Sequence, residues 1–155
     1  MIQTFSNFLA EKKKYSDGAG VAILYGKKIL LVHPTNGSWT RPIMGIPKGG
    51  IEEGEEILDA ALRELKEETG IKLSSDKLEP AIQTVDVFNK EGQYKCSLHY
   101  FICRISDLSE IGLDSLAVPK SQLQAKEVDW AGFIDIKEAY SKVSRSQLLI
   151  LDRLS

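Results

Sequence analysis

Cysteine is scarce in this sequence, whose 155 residues include only Cys96 and Cys103. The two positions lie an odd number of residues apart in one alternating segment, so a strand would direct their side chains to opposite faces. We therefore expect no disulfide between them. Reduced, half-buried thiols are typical of proteins from a reducing compartment.

A long apolar run and a large excess of one charge are also missing. No segment approaches the ~20 apolar residues of a membrane-spanning helix. Near the N-terminus a basic cluster follows a short apolar stretch, whereas a secretory signal has the reverse order. The net charge of −2 indicates no broad surface for a membrane or a polymeric nucleic acid. We therefore expect a soluble, cytoplasmic protein without either partner.

What is present is a globular composition, 43% hydrophobic and 27% charged, in a chain long enough to bury a core. No repeat or long linker divides the chain, which predicts a single domain over residues 1–155. The mixed order of strands and helices predicts an α/β sandwich, and the N-terminal stretch is predicted as a short helix or an extra strand. The predicted strands are 21–25, 29–33, 81–89, 94–105 and 128–133, with a short extended piece at 42–46, and the predicted helical regions are 53–70 and 136–154.

The first of these helices carries the segment RELKEETG at residues 63–70. With Leu58 at the zero of helical phase, Glu67, Glu64 and Glu68 fall at roughly 180°, 240° and 280°, beside the apolar stripe. Like charges at this spacing repel, and a partly desolvated Glu68 would bind protons more tightly unless a cation neutralised it. Hard divalent cations such as Mg²⁺ favour such oxygen clusters.

A solvated acidic helix face is the alternative explanation for these glutamates, with Arg63 as an ordinary ion-pair partner. Arg63 could instead brace a carboxylate while leaving other oxygens free for metal. The preceding loop, PKGG at residues 47–50, favours the metal hypothesis. Glycine there lets the main chain approach a ligand closely, a loop that leads into a helix N-terminus suits phosphate, and Lys48 adds a mobile positive charge.

The segment Gly49–Ile71 resembles the Nudix box, which reads Gly, five residues, Glu, seven residues, Arg-Glu-apolar-x-Glu-Glu-x-Gly-apolar. All nine specified positions are filled in one continuous window, which makes the signal strong. The resemblance implies the α/β/α sandwich of that family, with a mixed β-sheet and a catalytic loop-helix. The residues that carry it are Gly49, Glu55, Arg63, Glu64, Leu65, Glu67, Glu68, Gly70 and Ile71.

The resemblance also implies a chemistry, because Nudix enzymes hydrolyse a nucleoside diphosphate linked to another group with Mg²⁺ or Mn²⁺. Carried over by position, Glu64, Glu67 and Glu68 look like the metal ligands. A backbone carbonyl at Lys48 or Gly49 would complete the site, and we assign Gly49. The implied supporting residues are Arg63, which orients the glutamates, and Glu55, Gly50 and Gly70, which support the loop and the helix.

The group that takes the proton of the attacking water is left open between two kinds of carboxylate. In the family it is either a glutamate of the box or an acid from a later loop. We prefer Glu67 as base or bridging ligand, with Glu127 as the loop candidate. Asp129 and Glu110 are its rivals, and an ordinary surface carboxylate is the alternative for Glu127.

Substrate recognition lies outside the box, where Trp39, Arg41 and Lys48 precede it. Trp39 is predicted either to stack on a base or to anchor its loop, while the cations would hold phosphates. The segment PIMGIPKGG is similar to that of relatives that act on dinucleoside polyphosphates. We therefore expect a small nucleotide substrate, with a dinucleoside polyphosphate or an ADP-ribose-type conjugate ahead of a nucleoside triphosphate. A non-catalytic nucleotide-binding module is the alternative of another class, and a homodimer stays open.

Overall fold

The structure is a computed structural model that describes residues 16–154. Its strands are β1 (Gly18–Tyr25), β2 (Lys28–Pro34), β3 (Lys48–Gly50), β4 (Gln83–Phe88), β5 (Tyr94–Ile105) and β6 (Val128–Asp135). Its helices are α1 (Ile57–Thr69), α2 (Ile136–Ala139) and α3 (Arg145–Leu154). The element predicted within the first 15 residues lies outside this described range.

The strands form one mixed sheet in the order β4-β5-β1-β2-β6, and β3 pairs with the start of β1. β1 and β5 run parallel, while the other strand pairs are antiparallel. The predicted hairpin between β1 and β2 is confirmed, with Tyr25 opposite Lys28. Gly26 occupies that turn with φ of 59°, a conformation that glycine adopts without steric cost. The mixed sheet agrees with the sequence prediction.

Both faces of the sheet are covered, which explains the apolar character of its central strands. Val21 and Ile23 of β1 belong to the core on the α1 side. Ala22 and Leu24 belong to the core on the α3 side. The predicted α/β/α sandwich is therefore confirmed. Within residues 16–154, no helix is both long and apolar enough to cross a bilayer.

The two cysteines also lie on opposite faces, as predicted. Cys103 is buried in the core on the α1 side, and Cys96 packs against the core on the α3 side. Both thiols are free.

The start of β1 and the whole of β3 were not predicted. The sequence placed the first strand at residue 21 and assigned the glycines of PKGG to a loop, because glycine is depleted in strands. In the structure PKGG pairs with β1, where Gly18 and Gly20 allow the two strands to approach closely. A Cβ on Gly20 would lie 2.3 Å from the carbonyl oxygen of Pro47, a separation that no side chain tolerates.

The buried face of α1 also differs in its centre from the prediction. The apolar stripe predicted from helical spacing consists of Leu58, Ala61, Leu62 and Leu65, but Leu58 and Leu62 are only half-buried. The other two residues of that stripe, Ala61 and Leu65, are fully buried as predicted, and so is Ala60, which lies outside it. Farther along the chain, the region predicted as helical over 136–154 is divided into α2 and α3 by a turn.

Candidate active site

Arg63 joins the loop after β3 to helix α1. Its Nε and Nη2 atoms donate to the two oxygens of Glu55 at 2.8 and 3.0 Å, and Nη2 also donates to the carbonyl of Gly50 at 2.9 Å. The hydrogen bonds from Arg63, with a further one from the amide of Glu52, lower the pKa of Glu55 to about 2. The bidentate Arg63–Glu55 pair fixes the position of the loop against the helix.

The same guanidinium contacts the carboxylates it was predicted to orient. Its Nη1 atom donates to Glu64 at 2.9 Å and to Glu67 at 3.3 Å. Burial is the main cause that raises the pKa of Glu64, and the hydrogen bond from Arg63 opposes that increase. One arginine therefore fixes the orientation of carboxylates on two successive turns of α1.

Glu68 is the most buried of the three clustered glutamates, with 7% of its surface exposed. Its Oε1 atom accepts a hydrogen bond from the amide of Lys48 at 3.2 Å. Burial raises the pKa of Glu68 to about 8, and the nearby carboxylates of Glu64 and Glu127 act in the same direction. The structure thus places Glu68 at the buried edge of the helix, as predicted.

Gly49 brings the main chain of β3 into contact with the carboxylate of Glu64. A Cβ on Gly49 would lie 2.0 Å from Cδ of Glu64 and 2.3 Å from each of its oxygens. Any larger residue at this position would displace the carboxylate or the strand. Glycine at this position therefore lets the carboxylate of Glu64 lie directly against the main chain of β3.

The pairing of β3 with β1 indicates which carbonyl faces the glutamates. Bonds from Val21 N to Pro47 O and from Ile51 N to Asp17 O flank the Ala19–Gly49 pair. In an antiparallel ladder this alternation turns the peptide groups of residue 49 toward β1 and those of residues 48 and 50 away from it. The amide of Lys48 and the carbonyl of Gly50 indeed contact α1 side chains. The geometry thus favours Lys48 over Gly49 as the carbonyl donor.

The donor set fits a hard divalent cation, since carboxylate and carbonyl oxygens are the ligands that such ions prefer. As the side chains stand in the described part of the chain, no group of three or more acidic, histidine or cysteine residues converges on one point. Arg63 holds Glu64 and Glu67, while the Lys48 amide holds Glu68. Each of these contacts uses one oxygen of its carboxylate, so binding an ion would require the second oxygens to turn toward one point.

A cavity of about 330 Å³ adjoins this helix. Three of the residues that line it are charged, namely Lys48, Glu68 and Glu127. Apolar residues from β2, from the 43–46 segment and from the start of β6 form most of the remaining wall. A ligand in the cavity would thus have an apolar surface and the carboxylate cluster within one space, as is usual for small-molecule sites.

Trp39 and Arg41 do not line this cavity. The indole of Trp39 stacks on the imidazole of His33, with ring centroids 3.7 Å apart and planes 17° apart. Its Nε1 atom donates to Asp129 at 3.4 Å, and Nδ1 of the fully buried His33 lies 2.7 Å from the same carboxylate. Trp39 therefore anchors its loop, yet 54% of its surface stays exposed. Arg41 is exposed in the same loop.

The three candidate bases outside the box differ in the contacts that their carboxylates make. Asp129 is occupied by His33 and Trp39. Glu110 accepts hydrogen bonds from the amides of Ser106 and Asp107 at 2.7 and 2.9 Å, which lower its pKa. Glu127 is the acid of this group that lines the cavity.

The sequence did not single out several residues that shape the site. Gln147 of α3 and Ile43 and Met44 of the loop line the cavity, and no local motif marks them. On β5, Tyr100 is fully buried and His99 contacts Thr84 and Asp17. Neither of them, nor Tyr94, lines the cavity.

The sandwich and the braced glutamate helix define a class of phosphate-handling proteins, and comparison with known proteins identifies the family. The family model of the NUDIX domain matches residues 14–147. The chain therefore belongs to the Nudix family, whose enzymes act on phosphoric anhydride bonds.

The sequence matches to two similar proteins include most of this chain but half or less of each relative. Nudix hydrolase 2 of Arabidopsis thaliana is 27% identical over 121 residues, which are 76% of this chain and 40% of that protein. The mRNA-decapping protein g5R of African swine fever virus is 29% identical over 130 residues, 82% of this chain and 50% of that protein. The chain thus spans half or less of the length of these two curated relatives.

Solved structures of the family share the fold. The MutT NUDIX hydrolase from Burkholderia pseudomallei superposes with a TM-score of 0.66 at 19% identity, covering 90% of this chain and 98% of that one. An Ap4A hydrolase from C. elegans gives a TM-score of 0.61 at 22% identity, covering 90% and 94%. At these identities the similarity establishes the fold alone.

Proposed function

We propose that the chain is a divalent-metal-dependent pyrophosphohydrolase that cleaves a nucleoside diphosphate linked to another group. This proposal rests on one observation. Glu68, from the glutamate cluster on α1, and Lys48 both line a cavity of about 330 Å³. A phosphate chain in that cavity would meet the metal ligands and a cation together. Family membership and the complete box support the same reaction class.

Each residue of the site has a distinct task in this proposal. Glu64, Glu67, Glu68 and the Lys48 carbonyl would hold Mg²⁺ or Mn²⁺, which when bound neutralises phosphate charge and polarises the phosphorus centre. Arg63 keeps the carboxylates oriented through its contacts with Glu64 and Glu67. Glu67 would take the proton of the attacking water or serve as a bridging ligand of the metal. The phosphate leaving group departs without any covalent enzyme intermediate.

Two separate recognition surfaces favour a substrate with two flat groups joined by phosphates. The cavity offers an apolar wall beside the carboxylates. Outside it, the exposed face of Trp39 forms a rigid aromatic surface, because His33 and Asp129 fix the indole from behind. A dinucleoside polyphosphate or an ADP-ribose-type conjugate could use both surfaces. A nucleoside triphosphate, the alternative substrate, could use only one. Cytoplasmic location and homodimer formation stay predictions.

A substrate panel tests the proposed function. Purified protein with Mg²⁺ or Mn²⁺ would be assayed against dinucleoside polyphosphates, ADP-ribose, nucleotide sugars, nucleoside triphosphates and 5′-triphosphorylated or capped RNA. The RNA arm is included because similar proteins are named for mRNA decapping and RNA pyrophosphohydrolysis. We expect metal-dependent release of mononucleotides from the first two classes. Absence of turnover on the whole panel would show the proposal to be wrong.

Replacing Trp39 by alanine is expected to raise KM for the preferred substrate roughly tenfold, because stacking of a base on an aromatic ring contributes about 1–3 kcal/mol. Because the ring lies outside the cavity, kcat should change little. Trp39→Phe keeps an aromatic face and serves as the matched control, with KM close to that of the parent. Steady-state kinetics on both variants decide between stacking and loop anchoring. An unchanged KM in Trp39→Ala assigns the residue to anchoring alone.

Replacing Glu127 by glutamine tests the acid that lines the cavity. If Glu127 participates in proton transfer, kcat should fall by about 10²-fold, the lower range for general acid–base groups. Glu110→Gln is the matched control, since Glu110 caps a short helical turn and is absent from the cavity lining. A kcat within a few-fold of the parent for Glu127→Gln would remove Glu127 from the mechanism.

A further inference from the structure

A buried amide from the last helix is bonded to the wall of the candidate substrate cavity. Gln147 of α3 is 1% exposed, and its Oε1 atom accepts a hydrogen bond from the backbone amide of Ile46 at 2.9 Å. Its Nε2 atom donates to the hydroxyl of Tyr100 at 2.9 Å and to the carbonyl of Ile46 at 3.5 Å. Gln147 thus contacts both polar groups of one residue that lies 101 positions earlier in the chain.

The segment that Gln147 contacts is bonded to other elements on either side of Ile46. Gly45 exchanges two backbone hydrogen bonds with Val32 of β2, at 2.8 and 3.0 Å. The amide of Met44 donates to the carbonyl of Lys142, in the turn between α2 and α3, at 2.7 Å. Beyond Gly45 the chain leaves β2, and the side chain of Gln147 is bonded to the Ile46 backbone. The carbonyl of Pro47 then accepts from the Val21 amide at 3.2 Å, and Lys48 is paired with β1 as part of β3. Gln147 therefore supports the cavity wall that precedes Lys48, and not Lys48 itself.

The side-chain amide of Gln147 packs tightly against Gly45. A Cβ on Gly45 would lie 3.3 Å from Oε1 of Gln147, so the amide already packs against the main chain of the segment. The buried side-chain polar atoms of the described residues all have a hydrogen-bond partner. Because water does not compete at a buried site, loss of the amide would leave the Ile46 amide unpaired.

We propose that Gln147 is a positioning residue, which fixes the Met44–Ile46 wall of the cavity. The inference deepens the proposed function, on which its kinetic test rests. The carboxylates of α1 are oriented separately by Arg63. Disturbing Gln147 should therefore weaken substrate binding more than it slows the chemical step.

The test compares two nearly isosteric changes at opposite ends of the same network. Gln147→Met removes the bonds to Ile46, whereas Tyr100→Phe removes only the hydroxyl partner and keeps them. With diadenosine tetraphosphate and Mg²⁺ as the probe, we expect KM to rise about tenfold in Gln147→Met, with kcat within about threefold, a loss smaller than a full ångström of misplacement would cause. Tyr100→Phe should retain the parent values. Gln147→Glu, which keeps an acceptor for the Ile46 amide, should lie between them.

Hydrogen exchange of residues 44–50 gives a second measurement that needs no substrate. Faster exchange in Gln147→Met than in Tyr100→Phe, at equal exchange elsewhere, is the expected result. Equal exchange in the two variants would overturn the inference, even if the parent enzyme hydrolysed no member of the panel. Faster exchange with unchanged KM in an active enzyme would also overturn it, because Gln147 would then be only a core contact. If Gln147→Met does not fold, Gln147→Glu and Tyr100→Phe carry both measurements.

Discussion

Replacing Glu67 by glutamine is expected to lower kcat by about 10²–10⁴-fold, the range associated with a general base or a group that organises one. The change keeps the size of the side chain and removes one negative oxygen from the site. Glu67 is the most exposed of the three clustered glutamates, and Arg63 holds it at 3.3 Å. The folded structure should therefore tolerate the substitution, so that the loss reports chemistry and not stability.

Glu56→Gln is the matched control for this experiment. Glu56 precedes α1 and is exposed, and its side chain makes no capping hydrogen bond. The control changes net charge by the same amount at the same helix but outside the cluster, so its kcat should stay near that of the parent. Both variants would be assayed at saturating Mg²⁺ with the best substrate from the panel. Parent-like activity of Glu67→Gln would refute the assigned role of Glu67 and weaken the enzyme hypothesis.

The elements that local chemistry determines were predictable from the sequence. Helix α1 has an apolar stripe, and at its end Gly70 adopts a left-handed φ of 71° and donates its amide to Lys66. The paired strands β4 and β5 follow from alternation and a polar turn. Glu68 was expected at the edge of the buried face from helical phase alone, and its burial follows that geometry.

The parts that depend on distant segments were not predictable. β3 forms because Gly18 and Gly20 let a second strand lie against β1. A short glycine-rich strand has no alternation of apolar and polar residues by which the sequence could reveal it. The cavity wall depends on Gln147, whose partner is 101 residues away. Trp39 was left open between two roles, because the sequence does not show that His33 lies beneath its ring.

The last large effect concerns stability, and its cause is the raised pKa of Glu68. In the unfolded chain this carboxyl has an ordinary pKa of 4.5, whereas in the folded protein burial raises it to about 8. Between these values the folded state keeps a proton that the unfolded state has released. Stability from this group is therefore complete below about pH 4.5 and is lost as pH rises through 8. Glu64 acts in the same direction, because burial raises its pKa as well.

Without divalent ions, we expect the free energy of unfolding to fall by roughly 2–5 kcal/mol between pH 5 and pH 8. Carboxyl groups with lowered pKa values, such as Glu55, lose their contribution only in stronger acid, so they do not mask this decline. Denaturant titrations in EDTA at four pH values would measure it. A free energy that stayed level or rose across this range would contradict the assignment.

Glu68→Gln should abolish most of this decline, because a glutamine is neutral at every pH and can still accept the hydrogen bond from the Lys48 amide. At pH 8 in EDTA the variant should therefore be more stable than the parent, while its hydrolytic activity is lost. Glu56→Gln, which alters an exposed carboxylate, should retain the parent's slope. Adding Mg²⁺ at pH 8 should stabilise the parent more than Glu68→Gln, since the variant keeps Glu64 and Glu67 but lacks one carboxylate ligand. A stable but inactive Glu68→Gln would show that the carboxylate is kept at this buried position for catalysis at the expense of stability.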